Sequence, residues 1–228
     1  MIKKNLLYKL LSSNSKAYQK LSNDKKFNHL IRNLSDSSVV LDIGANIGNV
    51  SSFILEKKNS QVFAFEPNRL CFEIMKRRFI DDSRIKIYNV GISNFSGISN
   101  FYLHENSKGI EDFDYIESSS LMYKKDNVSK ENSIKINVIH ITEILSKFSK
   151  IDLIKIDIEG SEYEIIPFLI SEKNKITNVL CELHGNPMKY NYRDPGKIKN
   201  KHFEQDYLSL VNNLKSKKLY DNWFYEWY

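Results

Sequence analysis

Lys155, Asp157 and Glu159 stand in the segment KIDIEGSE, at the end of an apolar run. Read as a strand, that run alternates with period two and projects all three groups onto one face. Ionisable groups on an otherwise apolar buried face are costly unless they pair or do chemistry. Glu182 and His184 repeat the arrangement in the next apolar run, VLCELH. Laid side by side, the two runs would bring Asp157, Glu182 and His184 together. Such a set could work in two ways. His184 could take a proton from a hydroxyl, with activity falling below its ordinary pKa of about 6.5. Alternatively, Asp157, Glu182 and His184 could ligate Mg2+ or Mn2+ through an oxygen-rich set with open water positions. A purely structural hydrogen-bonded cluster is the bland alternative. Lys155, Asp157, Glu159 and His184 are the catalytic candidates, and Glu162 reads as a capping or dipole partner in the helix that follows.

A second group of residues points to a ligand rather than to a reaction. VVLDIGANIG ends an apolar strand in Asp42 and passes at once into a turn containing Gly44, Asn46 and Gly48. The glycines would let backbone approach a ligand closely. The order D-x-G-x-N-x-G is neither the G-x-G-x-x-G of dinucleotide binders nor a P-loop, and no Lys-Ser or Lys-Thr pair follows to hold a triphosphate. It suits a less anionic adenosine ligand. QVFAFEP then supplies Glu66 at the end of a second strand, where an acid can accept both ribose hydroxyls. Asn89 and Gly91 close a third strand beside the expected adenine position.

These residues need strand ends to carry them. Strands near Val39–Ile43, Val62–Phe65, Ile85–Val90, Ile151–Ile158 and Val179–Leu183 alternate with helical patterns, which gives an α/β fold with a doubly wound, mostly parallel sheet. Ile98–Leu103 and Ile134–Ile141 read as strands of a β insertion before the fourth core strand, with a polar loop or lid from His104 to Ser120 between them. Residues 1–36 read as an N-terminal helical extension that packs on the sheet or caps the site. Residues 37–228 form the main domain. After a Pro/Tyr/Asn-rich loop and a helix at Phe203–Leu214, LYDNWFYEWY leaves room for a final strand that is short or absent.

Composition narrows the function classes. The chain has 228 residues and a net charge of +6, with pI near 9.0 and mean hydropathy of -0.45. No apolar run nears the roughly 18 residues that span a bilayer. Lys9 interrupts the N-terminal apolar stretch, which reads as an amphipathic helix rather than a signal peptide, with membrane-surface contact the lesser reading. Cys71 and Cys181 are too few for a disulfide framework and read as reduced core thiols of a cytoplasmic protein. No basic run with interleaved aromatics marks an RNA track, so nucleic acid is not the expected partner.

The D-x-G-x-N-x-G turn resembles motif I of class I methyltransferases. Together with VFAFEPN, NVGISNFSG, the SSL at Ser119–Leu121 and IDLIKIDIEGSEYEII, it is similar to the FkbM family. The resemblance implies a Rossmann-like, seven-stranded-type fold and S-adenosylmethionine as cofactor. It assigns cofactor contacts to Asp42, Gly44, Asn46, Gly48, Glu66 and Gly91, and active-site roles to Asp157, Glu159 and His184. The implied reaction is O-methylation of a saccharide hydroxyl, on a nucleotide-linked sugar or a capsular or lipopolysaccharide glycan. RNA 2′-O-methylation with a lysine near the ribose hydroxyl, and methylation of a small natural-product hydroxyl, are the alternatives. A nicotinamide oxidoreductase and a binding module without activity stand behind them.

Overall fold

The computed structural model describes residues 16–109, 119–122, 127–186 and 203–227. The readings placed on residues 1–15, 110–118 and 187–202 lie outside them. Helices α1 (Lys16–Asn23) and α2 (Lys25–Arg32) precede an alternating unit. It comprises β1 (Val39–Ile43), α3 (Asn49–Lys57), β2 (Gln61–Phe65), α4 (Arg69–Arg78) and β3 (Ile85–Tyr88). Then come β4 (Gly91–Ser93), β5 (Gly97–His104), β6 (Val128–His140) and α5 (Ile141–Leu145). The chain returns through β7 (Ile151–Ile156), α6 (Glu162–Ser171), β8 (Ile176–Glu182), α7 (Glu204–Ser216) and β9 (Phe224–Trp227).

The main sheet has six strands in the order β3-β2-β1-β7-β8-β9, and each neighbouring pair is parallel. The expected final strand is present. It is four residues long and adds β9 to the edge beside β8. The insertion forms a separate sheet, β4-β6-β5. Strand order reverses between β1 and β7, so a crevice opens there at the carboxyl ends of the strands, where α/β sheets bind ligands.

Apolar runs such as VVLDI and IDLIKI form the middle strands because both faces are covered. On one face Leu41, Ile43, Ile154 and Ile156 pack with Ile165, Leu169 and Leu214 of α6 and α7. On the other, Val40, Ala64, Leu153 and Leu180 pack with Phe27, Leu30, Phe53 and Ile54 of α2 and α3. Burying Phe27 and Phe53 completely is worth roughly 1.5–3 kcal/mol each. Asp24 caps α2 by accepting the Phe27 amide at 2.8 Å, which sets this helix on the sheet. The second face turns polar at its carboxyl end. Asp42 lies beside Lys155 and Glu182 beside Trp227, each two residues beyond a buried apolar neighbour.

β7 ends at Ile156, two residues before the expected end. Asp157 and Glu159 therefore do not share a strand face with Lys155. They belong to a tight turn in which Glu159 (φ 59) and Gly160 (φ 110) are left-handed. Cys71 and Cys181 are buried free thiols.

Candidate active site

The turn after β1 is held from beneath by a buried ion pair. Lys155 Nζ lies 3.3 Å from Asp42 Oδ1 and donates to the Gly44 carbonyl at 2.7 Å. Ser51 Oγ donates to Asp42 Oδ2 at 2.7 Å. Asp42 is fully buried and Lys155 nearly so. Burial would lower the Lys155 pKa, but Asp42 and Asp157 raise it above the ordinary lysine value. The ammonium is thus committed to the turn and stays charged.

The glycines of this turn also let neighbouring parts of the protein come close. A Cβ on Gly44 (φ 75) would sit 1.8 Å from the Asp157 carbonyl oxygen, and one on Gly48 (φ 80) 2.7 Å from the Phe79 ring. On their Cβ side both make room for protein, and Gly44 also lines the cavity. Gly44 is the crossing point of the two motifs, because its bare Cα lets the β1 turn touch the β7 turn. Asn46 is left-handed (φ 51) and does not cap α3, whose N-cap is Gly48. Its side-chain oxygen accepts from Cys71 Sγ at 3.4 Å.

Glu66 is nine-tenths buried. Its Oε2 accepts the Asn46 amide at 2.8 Å and its Oε1 the Asn68 amide at 2.7 Å. Burial pushes its pKa up to about 7 against the pull of those amides and of Lys155. Two of the carboxylate's four acceptor positions are used. Asn89 is spent differently from the expectation. Its amide donates to the carbonyls of Glu66 (2.9 Å) and Pro67 (3.0 Å), tying β3 to the end of β2. Val90, Gly91 and Ile92 line the cavity instead.

That cavity holds about 530 Å³ and runs from Glu66 past Gly44 to Asp157, Glu159 and Glu182. Asp157 Oδ1 is buried without a hydrogen-bond partner among the described residues. Burial, then repulsion from Glu182, push the Asp157 pKa up to about 7. His184 lies behind this row. Its Nε2 is 3.1 Å from Glu159 Oε2 and its Nδ1 is 3.1 Å from Glu162 Oε1. Burial would lower the His184 pKa, but Glu162 and Glu159 together hold it well above its ordinary value. A clamped imidazolium donates on both sides and has no lone pair with which to take a proton.

The expected metal set also changes. The groups close enough to share an ion are Asp157, Glu159 and His184, within 4.8 Å of one another. Glu182 is not one of them. With both ring nitrogens of His184 engaged by carboxylates, the set does not fit a metal in this arrangement.

Sequence reasoning read Glu162 only as a capping or dipole partner and missed the other supports. Fully buried Glu162 accepts the Ile158 and Gly160 amides at 3.1 and 2.9 Å, so it shapes the turn as well as holding His184. Ser120 Oγ donates to the Glu159 carbonyl at 2.6 Å, fastening the segment before β6 to the turn after β7. Gly160 and Gly185 are both packed against Phe203. Lys20, Leu21 and Trp227, far apart in sequence, line the same cavity. The Glu162 signal was present in the sequence as the G-S-E spacing. The others had none that a single sequence displays.

Residues 42–209 match the methyltransferase FkbM domain. Methyltransferase sdnD of Sordaria araneosa is 24% identical over 185 residues, covering 67% of this chain and 68% of that protein. Hexuronic acid methyltransferase AglP of Haloferax volcanii is 26% identical over 163 residues, covering 68% of this chain and 60% of that protein. Among solved structures, precorrin-6y C5,15-methyltransferase of Geobacter metallireducens shows a weak overall likeness. It has a TM-score of 0.36 and 14% identity, covering 70% of this chain and 62% of that one. The domain match takes in the β1 turn, Glu66, the β7 turn and His184, and by it the chain belongs to the FkbM family and is a methyltransferase.

Proposed function

We propose that the cavity binds S-adenosylmethionine at the Glu66 end and a saccharide hydroxyl at the Asp157 end, and that the protein O-methylates that hydroxyl. The observation that carries this reading is the contact between Gly44 and the Asp157 carbonyl, which joins the two ends in one cavity. The residues suit the cofactor: Glu66 keeps acceptor capacity for the ribose hydroxyls, and Gly91 lines the same cavity. When bound, the cofactor supplies a methyl group already activated on a sulfonium.

The chain's part is alignment and proton removal. Asp157 takes the proton, because its Oδ1 is uncommitted and its pKa of about 7 makes it a stronger base than an ordinary carboxylate. Lys155 is a positioning residue, fixing Gly44 through its carbonyl. His184 positions Glu159. No step needs a metal. The relative named for hexuronic acid and the row of carboxylate acceptors support a saccharide. The RNA alternative is not favoured, since the Lys155 ammonium is already held by Asp42 and Gly44. Among the described residues no helix is long and apolar enough to cross a membrane, in keeping with work on nucleotide- or lipid-linked sugars in the cytoplasm.

Calorimetry with S-adenosylhomocysteine tests the cofactor end. Glu66→Ala should weaken binding by about 1.5–3 kcal/mol, the worth of hydrogen bonds to a charged group. An absence of binding to the native protein would sink the reading. A methyl-transfer screen over nucleotide sugars, lipid-linked glycans and RNA tests the acceptor. Turnover on RNA with salt-sensitive binding would replace the saccharide.

A further inference from the structure

The wall of the cavity formed by Lys20, Leu21 and Trp227 comes from outside the family-matched stretch 42–209. Trp227 is 6% exposed. Phe27 stacks on its indole with centroids 6.0 Å apart and planes at 18°. The ammonium nitrogens of Lys20 and Lys155 lie 5.6 and 5.9 Å from the ring centroid. The ring lines the cavity. The one polar atom of that ring, Nε1, is buried and has no hydrogen-bond partner among the described residues. A buried indole N–H ordinarily has one. The nearby Trp223 obeys the rule, donating to the Ile176 carbonyl at 2.7 Å. Lys20 is exposed and forms no ion pair among the described residues, whereas Lys155 is neutralised by Asp42. Asp157, Glu159 and Glu182 bring carboxylates to the cavity, Glu182 beside Trp227, while Lys20 and Trp227 bring an unneutralised ammonium and an unpaired N–H.

We propose that Trp227 and Lys20 bind an anionic oxygen of the acceptor, a carboxylate or a phosphate. The proposal rests on the saccharide reading above and adds to it the charge of the sugar and the residues that select it. An anion is repelled by the carboxylates around Asp157 and attracted to Lys20. With its anion on Lys20, a charged sugar presents a neutral hydroxyl to Asp157. Trp227 supplies direction as an N–H donor with a fixed ring. Lys20 supplies charge from a mobile stem. Neither is a catalytic residue; both set which acceptor is aligned.

The test is a calorimetric titration of the protein loaded with S-adenosylhomocysteine, using glucuronate, glucose 1-phosphate and glucose as probes. Anions are expected to bind roughly ten- to a hundred-fold more tightly than glucose. Trp227→Phe keeps the ring and removes the N–H, and Lys20→Gln removes the charge. Each should erase most of that preference while leaving affinity for S-adenosylhomocysteine within about twofold. Preference for glucuronate over glucose 1-phosphate identifies a uronate acceptor, and the reverse a phosphorylated one. Glucose binding as tightly as the anions, a preference that survives both substitutions, or no binding of any probe would overturn the proposal. Should Trp227→Phe fail to fold, Lys20→Gln decides alone. If S-adenosylhomocysteine itself does not bind, the cofactor reading fails, and the same titrations of the unloaded protein still decide this one.

Discussion

The two ends of the cavity are built on opposite principles. At the Glu66 end most polar groups are engaged within the protein, though Asp42 Oδ1, 3.3 Å from Lys155 Nζ, makes no hydrogen bond among the described residues. Glu66 holds the Asn46 and Asn68 amides, Asn89 holds two carbonyls, and Asp42 is held by Ser51 and Lys155. That end is preorganised, and a ligand adds contacts to a finished frame. At the Asp157 end, three carboxylates share a small space, and neither Asp157 Oδ1 nor Trp227 Nε1 has a hydrogen-bond partner among the described residues. That end stores unmet demand, which an acceptor bearing a hydroxyl can meet. Binding sites tolerate rigidity, whereas a group that must accept a proton needs one lone pair left free.

Lys155 belongs to both ends, so removing it tests the contrast most severely. Lys155→Met fills similar volume but leaves Asp42 buried without its cation and the Gly44 carbonyl without its donor. Breaking a buried pair on one side costs about 3–5 kcal/mol, a large share of the roughly 5–15 kcal/mol that holds a domain together. Urea unfolding should show a loss in that range, with weakened S-adenosylhomocysteine binding because the turn moves. A loss under about 1 kcal/mol would mean that Asp42 and Lys155 are not the buried pair described.

Asp157→Asn tests the other end alone. It keeps the shape and removes the base, so kcat should fall on the order of 10³-fold, within the usual contribution of a positioned general base. Cofactor affinity should hardly change. In the native enzyme, activity should rise as pH passes about 7, where Asp157 ionises, and level off above it. The sign for stability is the reverse. A carboxyl whose pKa is raised on folding stabilises the protein below its unfolded value near 3.8 and loses that contribution as pH rises through about 7. Asp157→Asn should therefore be more stable than the native protein at pH 8, by about 1–2 kcal/mol once partial exposure is allowed for. Equal stabilities at pH 8 would remove the electrostatic crowding on which the proposed base depends.

The same contrast explains what the sequence displayed. The Glu66 end is made of consecutive turns at strand ends, so D-x-G-x-N-x-G and the FEP of β2 were readable directly. Strand alternation, buried on both faces, gave the α/β class for the same reason. The Asp157 end is assembled by tertiary structure. Asp157 and Glu159 could be singled out as costly ions, but alternation placed them on a strand that stops at Ile156. No periodicity shows a left-handed Glu159. Glu182 seemed the natural partner of His184 by spacing. The turn instead brings Glu159 and Glu162 to its two nitrogens. Lys20 and Trp227 sit near opposite ends of the chain, where spacing carries no information.

His184 gives the smallest effect and the finest distinction. Replacing it by Gln keeps a donor but removes the cation between Glu159 and Glu162. Glu162 retains the Ile158 and Gly160 amides, so the cost should be about 1–3 kcal/mol, the range for a buried group losing one partner. The pH window follows from the direction of the shift. The folded pKa of His184 lies well above its ordinary 6.5, so its stabilisation is complete below about pH 6.5 and is lost as pH rises through the folded value. The stability gap between native and His184→Gln proteins, read from urea midpoints between pH 5.5 and 9 (roughly the span over which such shifts act), should be widest at the acid end and narrow above. Were His184 the base, the pattern would differ in kind. Its removal would abolish turnover, and native activity would fall below its own pKa. A clamp instead leaves substantial kcat in His184→Gln and an inflection near 7 that follows Asp157. Full loss of turnover with an unchanged melting profile would therefore return the proton to His184.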